Sequence, residues 1–188
     1  MWALLMALGS SQLHAQSSAQ DVIQAMVKEM AAPGVLQVTG RRILTEDVLQ
    51  PFYANRQYAP AWERDDQIES LFDVISTAEE HGLNPEDYLF STLTNQLAQL
   101  QTDGSPEEAA KLDVLMMESL VRYAVHRRFG KVDPQDLDQN INFRQRFVSD
   151  GPLEVSLQDA MDDGDFRQRL RKGSQDGAWY IALRAELS

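Results

Sequence analysis

The strongest single constraint in this 188-residue sequence is one long helical pattern in its second half. Ser105 is followed three residues later by Glu108, which is the capping-box pattern that starts a helix. Apolar residues then recur at helical spacing as far as Phe129, and Gly130 is typical of a helix C-terminus. The pattern predicts a helix over residues 106–129, about 36 Å long at 1.5 Å per residue. Its predicted core stripe consists of Leu112, Leu115, Met116, Leu120, Tyr123 and Ala124.

A helix of this length needs other elements around it, and shorter helical patterns fill most of the remaining chain. Pro51 predicts a kink or a boundary in one of them. Residues 35–38 are the one β-like stretch, and Gly40 interrupts it. The fold class is therefore predicted to be all-α, an irregular bundle of roughly seven to nine helices around the central helix at 106–129. The shorter helices are predicted at residues 21–32, 45–53, 65–81, 153–161, 166–170 and 178–187. Another is predicted to start at residue 84, and one more runs from Thr92 or Thr94 to Leu100.

The first residues resemble a secretory signal peptide. An apolar run at residues 2–8 is followed by small residues, with Ala15 or Ala19 before the expected cleavage site. The run is too short to span a bilayer as a helix. The basic segment that usually precedes such a run is missing, since Lys28 is the first cation, so a buried or disordered terminal segment is the alternative. We expect a signal peptide at 1–19, an N-terminal helix and linker at 20–44, and the main domain at 45–188.

The charge distribution excludes one large class of partner. The formal net charge of −12 arises within the first 120 residues, which hold 18 Asp and Glu against 6 Lys and Arg. Such an acidic half repels phosphate backbones, so nucleic-acid binding is not expected. Arg122, Arg127, Arg128 and Lys131 form a cationic cluster near the end of the long helix. These cations complement the helix dipole, and contact with an anion or a partner is the alternative.

The residue inventory argues against most catalytic chemistry. Without cysteine the chain has no disulfide, no zinc–thiolate site and no thiol nucleophile. Neither G-x-S-x-G nor S-x-x-K occurs. His81 and His126 lack partners at metal-binding spacing, and His126 is predicted on the exposed face of the long helix. We therefore predict no catalytic residue, no metal site and no cofactor. A muramidase-like hydrolase that uses a carboxylate pair is the alternative in which the chain is an enzyme.

Three motifs occur in a fixed order. The first is F-Y-x-x-R-x-Y-x-P-x-W, the second is G-L-N-P-E-D-Y, and the third is R-R-F-G-K-V-D-P. In this order and spacing they resemble the N-terminal scaffold domain of the large YcbB-like L,D-transpeptidases, over about residues 45–188. The signature residues carried over from the resemblance are Phe52, Tyr53, Arg56, Tyr58, Pro60, Trp62, Gly82, Leu83, Pro85, Tyr88, Arg127, Phe129, Gly130, Val132, Asp133 and Pro134.

These signature residues are expected to act in packing and capping. Tyr53 and Trp62 can anchor the turn between two helices, and Gly82 and Gly130 can satisfy helix C-termini. Arg56 or Arg127 could instead pair with a buried carboxylate.

The resemblance implies a cell-wall role without the chemistry. Enzymes of this family continue into a peptidoglycan-binding module and a catalytic domain whose S/T-H-G-C motif supplies the nucleophile for 3→3 cross-links, and this chain contains neither that motif nor any cysteine. We expect a non-catalytic scaffold domain, truncated or split from its enzyme, in the Gram-negative periplasm. Its partners would be the catalytic and glycan-binding parts or other cell-wall proteins, and possible binding of peptidoglycan itself is left open. The alternative is a stand-alone periplasmic adaptor.

Overall fold

The structure, a computed structural model, describes residues 19–31, 36–131, 153–162 and 166. These residues are mostly helical, which confirms the all-α class. The β-structure among them is one antiparallel pair, β1 at Gln37–Val38 and β2 at Arg41–Arg42. Two 3₁₀ turns lie at Ala78–His81 and Pro85–Tyr88. The α-helices are α1 at residues 19–29, α2 at Glu46–Asn55, α3 at Asp65–Ser76, α4 at Phe90–Asp103, α5 at Pro106–Phe129 and α6 at Leu153–Asp162.

The described residues divide into two compact units that share the long helix α5. The first unit comprises the described residues up to Glu63 together with Ser91–Glu118. The second comprises Arg64–Phe90 and the described residues from Ser119 onward.

Helix α5 has the bounds that the sequence predicts, 106–129. Its start is capped by Ser105, whose Oγ accepts a hydrogen bond from the backbone N–H of Glu108 at 3.3 Å. Its end is marked by Gly130, which adopts a left-handed φ of 86° and donates its N–H to the His126 carbonyl at 2.9 Å. The middle of the helix is buried on every side, because each residue from Leu112 to Val121 is buried. This burial goes beyond the single stripe that the sequence predicts.

In the first unit, the apolar core comes from α1, the hairpin, α2 and the first half of α5. The hairpin turn at Thr39 and Gly40 has positive φ values of 48° and 73°, as a two-residue type I′ turn requires. Alternate hairpin residues point into the core. The fully or almost fully buried apolar residues of these elements include Ile23, Val27, Met30, Leu36, Val38, Ile43, Leu49, Phe52, Tyr53, Leu112, Leu115 and Met116.

In the second unit, α3 contacts both 3₁₀ turns. The amide of the buried Gln67 donates to the Met161 carbonyl at 2.7 Å and ties α3 to α6. Phe72 of α3 meets Phe90 edge to face, with ring centroids 6.3 Å apart. Leu71, Val74, Ile75 and Ala78 supply the buried apolar face of this segment.

The structure departs from the sequence-based expectations at several helices. The α-helix expected over 65–81 ends at Ser76, and a 3₁₀ turn covers Ala78–His81. Helix α2 continues through Pro51, so no boundary occurs there. Proline removes one backbone donor, and the buried Leu49, Phe52 and Tyr53 keep the surrounding turns in place. The helix expected from residue 84 is a single 3₁₀ turn, which Leu89 ends with a left-handed φ of 62°.

Several predictions concern residues outside the described part of the chain. They are the signal peptide apart from residue 19, the helix expected at 166–170 apart from residue 166, and the helix expected at 178–187. The helix expected at 153–161 is present as α6. None of the helices within the described ranges is long and apolar enough to cross a membrane.

Leu115 provides a test of the core. Its side chain is fully buried, so Leu115→Ala should lower the free energy of unfolding by about 2–5 kcal/mol. Leu44→Ala is the matched control, because Leu44 is 52% exposed and its loss should cost less than about 0.5 kcal/mol. Urea denaturation of both variants measures the difference, and equal costs would mean that α5 is wrongly placed.

Gln57 tests backbone strain after α2. This exposed residue has a φ of 55°, in the left-handed region that disfavours side chains other than glycine. Gln57→Gly should therefore raise the free energy of unfolding by about 0.5–1 kcal/mol. Gln99→Gly, in the exposed interior of α4, should instead lower it by about 1 kcal/mol. A loss of stability at both positions would contradict the turn geometry.

Candidate functional site

The first motif is organised around Asp113, a buried carboxylate of α5. Tyr53 of α2 donates its hydroxyl to Asp113 Oδ1 at 2.7 Å. The backbone N–H groups of Ala61 and Trp62 donate to Asp113 Oδ2 at 2.8 and 3.0 Å. Both carboxylate oxygens are thus occupied by donors from one chain segment, residues 53–62. We call this set of hydrogen bonds the Asp113 network.

Arg56 lies beside this network without forming its centre. Its guanidinium donates to the Pro60 carbonyl at 3.1 Å and lies 5.6 Å from the ring centroid of Phe52. Phe52 in turn meets the Tyr53 ring edge to face at 5.2 Å. Tyr58 follows in a left-handed conformation, and its N–H donates to the Tyr53 carbonyl at 2.7 Å. The signature residues from Phe52 to Trp62 therefore hold one turn in shape.

Burial dominates the electrostatics of the network. Removal from water raises the pKa of Asp113 to about 6, while the hydrogen bonds from Tyr53, Trp62 and Ala61 oppose that shift. The Arg56 charge also lowers the pKa of Asp113, by a smaller amount. Burial and the neighbouring carboxylate hold the pKa of Tyr53 well above its usual value, so its hydroxyl remains a donor. Asp113 is therefore ionised near neutral pH and accepts all three bonds.

A second buried carboxylate, Glu118, lies one and a half turns further along α5. It accepts from the backbone N–H groups of Leu44 and Thr45, each at 3.2 Å, and from the Thr45 hydroxyl at 2.6 Å. Thr45 is the N-cap residue of α2 and its side chain forms no cap bond within that helix. Glu118 thus places its carboxyl group at the N-terminus of α2, where it accepts the backbone donors that precede the helix.

The second motif joins the third in the second unit. Gly82 has a left-handed φ of 71° and ends the first 3₁₀ turn, and Asn84 caps the next turn by accepting from the Glu86 N–H at 3.0 Å. Pro85 occupies the first position of that turn, as its fixed φ favours, and Leu83 is half-buried. Tyr88 at its end is fully buried.

Tyr88 forms the contact between this motif and α5. Its hydroxyl lies 3.1 Å from His126 Nδ1, and its ring meets Tyr123 edge to face at 5.3 Å. Burial raises the pKa of Tyr88 to about 12, so its hydroxyl stays protonated in this contact with the imidazole. His126 is half-buried rather than on an exposed face, because this bond draws it against the second 3₁₀ turn. Burial, followed by the charges of Arg122 and Lys131, lowers the pKa of His126.

Two of the cations near the end of α5, Arg127 and Lys131, are used in local contacts. Lys131 forms an ion pair with Asp87 at 2.6 Å, and the Arg127 guanidinium lies 5.9 Å from the Tyr123 ring centroid. These contacts connect the third motif to the second 3₁₀ turn and to its own helix. The remaining signature residues Val132, Asp133 and Pro134 lie outside the described residues, as does the side chain of Phe129.

A family model of the scaffold domain matches residues 47–187, which is 141 of the 188 residues. The chain belongs to the scaffold-domain family. No curated protein and no solved structure matches it. The match spans all three motifs, so the contacts among the motif residues are contacts within this scaffold domain.

Sequence reasoning missed the two acids that organise the first unit of the scaffold domain. Asp113 and Glu118 lie outside the single apolar stripe that the sequence predicts for α5. The signal that could have revealed them is the density of apolar residues between Leu112 and Val121, which leaves no polar face for an acid to occupy. No group of three or more His, Asp or Glu side chains in the described ranges could hold a metal ion.

The pKa of Asp113 predicts a pH dependence with a defined sign. The folded-state value of about 6 lies above the ordinary aspartate value of 3.8, so the folded chain binds more protons between the two. The contribution of this carboxyl to stability is therefore complete below about pH 4 and is lost as the pH rises through 6, by about 3 kcal/mol in total. Carbon-13 NMR of the carboxyl should show the titration near pH 6. Asp113→Asn should remove that titration and this part of the pH dependence, and a carboxyl that titrates below pH 4 would contradict the burial argument.

Glu118 predicts a graded loss of stability. Glu118→Ala leaves the N–H groups of Leu44 and Thr45 without their acceptor and should cost about 2–4 kcal/mol of unfolding free energy. Glu118→Gln retains one carbonyl oxygen and should cost less. Glu107→Ala is the control, because that side chain is 64% exposed and its ion pair with Lys111 should contribute under about 1 kcal/mol. Denaturation of the three variants measures the order, and equal losses for Glu118→Ala and Glu107→Ala would contradict the capping role.

Proposed function

We propose that this chain is the non-catalytic scaffold domain of a peptidoglycan-cross-linking L,D-transpeptidase. In this role it orients or docks the catalytic and glycan-binding parts of the enzyme in the periplasm of a Gram-negative bacterium. The family match over residues 47–187 supports the scaffold role, and the three ordered motifs support the link to these enzymes.

The observation that carries the proposal is that the motif residues make their contacts inside the protein. Tyr53 and the backbone of Trp62 donate to a buried carboxylate, and Tyr88 is buried against α5. Groups that could act in acid–base chemistry are thereby committed to internal contacts. A domain built in this way supplies a fixed shape and a surface.

The two buried acids do not form a hydrolytic pair. Glycoside hydrolysis requires an acid and a second carboxylate on opposite sides of a substrate cleft. Asp113 and Glu118 instead lie on one helix, and both oxygens of each carboxylate accept bonds from the protein. These two residues support a structural role over a hydrolytic one.

The missing cysteine determines what the partner must bring. The 188 residues contain no thiol, so a thiolate nucleophile has to come from another polypeptide segment. The scaffold domain then acts through contact with that segment.

An activity-based capture tests this proposal. The tagged chain, immobilised on beads, is incubated with a Gram-negative envelope extract, and the bound fraction is assayed for 3→3 cross-linking of tetrapeptide-stem muropeptides. We expect captured cross-linking activity that thiol alkylation abolishes, since its nucleophile would be a cysteine. Beads carrying an unrelated protein of equal negative charge are the control. Capture of cell-wall proteins without cross-linking activity would favour the stand-alone adaptor and contradict the proposal, as would the absence of any capture.

A further inference from the structure

The β1–β2 hairpin and the residues next to it carry three exposed side chains, Gln37, Arg42 and Leu44. Ile43 is fully buried, whereas its neighbours Arg42 and Leu44 on either side are exposed. Leu44 is 52% exposed, although its backbone N–H is held by the buried Glu118. The Leu44 side chain is therefore exposed on a segment whose backbone is held in place. We call Gln37, Arg42 and Leu44 the hairpin surface.

Within the described part of the chain, the two-stranded ladder leaves one edge position of β2 unpaired. Gln37 pairs with Arg42, and the next pair along the strands, Leu36 and Ile43, is joined by a hydrogen bond of 3.1 Å from the Ile43 N–H. Hydrogen-bonded and non-hydrogen-bonded pairs alternate in an antiparallel ladder, so the N–H and C=O of Arg42 point away from β1. They offer one donor and one acceptor to an added strand.

The charge of the hairpin indicates what kind of strand fits. Arg41 turns to the other side and donates to the Thr92 hydroxyl of α4 at 3.1 Å, which fixes the hairpin against that helix. The Arg42 guanidinium has no hydrogen bond or ion pair within the described residues. A charged edge resists pairing with an identical edge and favours a strand of opposite charge.

From this combination we propose that the hairpin surface docks an extended acidic segment of a partner protein by strand addition to β2. A carboxylate of that segment faces Arg42, and an apolar residue two positions away packs on Leu44, because alternate residues of a strand share one side. This surface is independent of the proposed enzyme link, since it requires only the described hairpin.

Peptide titration of the full chain, followed by amide NMR, tests the docking surface. The probe is a blocked five-residue peptide of threonines in which the second residue is valine and the fourth is glutamate. We expect saturable shifts centred on the amides of Arg42 and Leu44. Arg42→Glu should weaken binding of this peptide by at least about fivefold and should strengthen binding of the matched peptide with lysine in place of glutamate. Lys28→Glu makes the same change of charge on the exposed side of α1 and should leave the affinity within about twofold.

Three outcomes would overturn the proposal. They are the absence of saturable shifts with the glutamate peptide, equal affinities for the glutamate and lysine peptides, and an affinity that Arg42→Glu leaves unchanged. Shifts of the same amides on simple dilution would assign the surface to a second copy of the chain and would likewise overturn it. Leu44→Ala should weaken binding while circular dichroism and the unfolding midpoint stay close to those of the parent chain.

Discussion

The first unit depends on two carboxylates that lie where α5 has no exposed face. A buried carboxyl group without hydrogen-bond partners would be strongly destabilising, so donors must surround both Asp113 and Glu118. Those donors come from residues 44–62, which hold α2 and its two flanking turns. The acids therefore fix where α2 begins and where the chain turns after it. Hydrophobic burial brings these elements together, and the two acids select their register.

The same contacts define the direction of α2 against α5. The start of α2 meets Glu118, whereas Tyr53 and the later Trp62 meet Asp113, five residues earlier on α5. The two helices are thus antiparallel in the first unit. Displacing either helix by one turn would separate both carboxylates from their donors at the same time. The carboxylates and the donors would then be buried without hydrogen bonds. The free-energy cost of such a displacement keeps the first motif in one fixed turn.

Features governed by local chemistry could be predicted from the sequence, and features governed by tertiary packing could not. The bounds of α5 follow from Ser105 and Gly130, because capping depends on neighbouring residues. The burial of Asp113 depends on elements more than fifty residues away, and a helical stripe gives no sign of them. His126 was expected in solvent for the same reason, since Tyr88 is distant in sequence. The hairpin was visible only as one β-like stretch, because its second strand is a pair of arginines.

A scaffold role is consistent with the contacts that the signature residues make. The signature residues that the structure describes act in turns, caps and buried hydrogen bonds, which preserve shape. Glu118 accepts the backbone N–H of Leu44, which belongs to the hairpin surface. The position of a docked segment would therefore depend on the same carboxyl group that fixes the start of α2. In the proposed enzyme, the chemistry belongs to another part and the scaffold domain supplies its placement.

The coupling between Tyr53 and Asp113 tests the central claim most directly. A double-mutant cycle with Tyr53→Phe and Asp113→Asn measures it through the free energies of unfolding of four proteins. The account predicts a coupling energy of about 1–2 kcal/mol, whereas Tyr53→Phe combined with Glu107→Gln should be additive within about 0.5 kcal/mol. Additive losses for Tyr53 and Asp113 would show that the buried carboxylate does not hold the first motif in place.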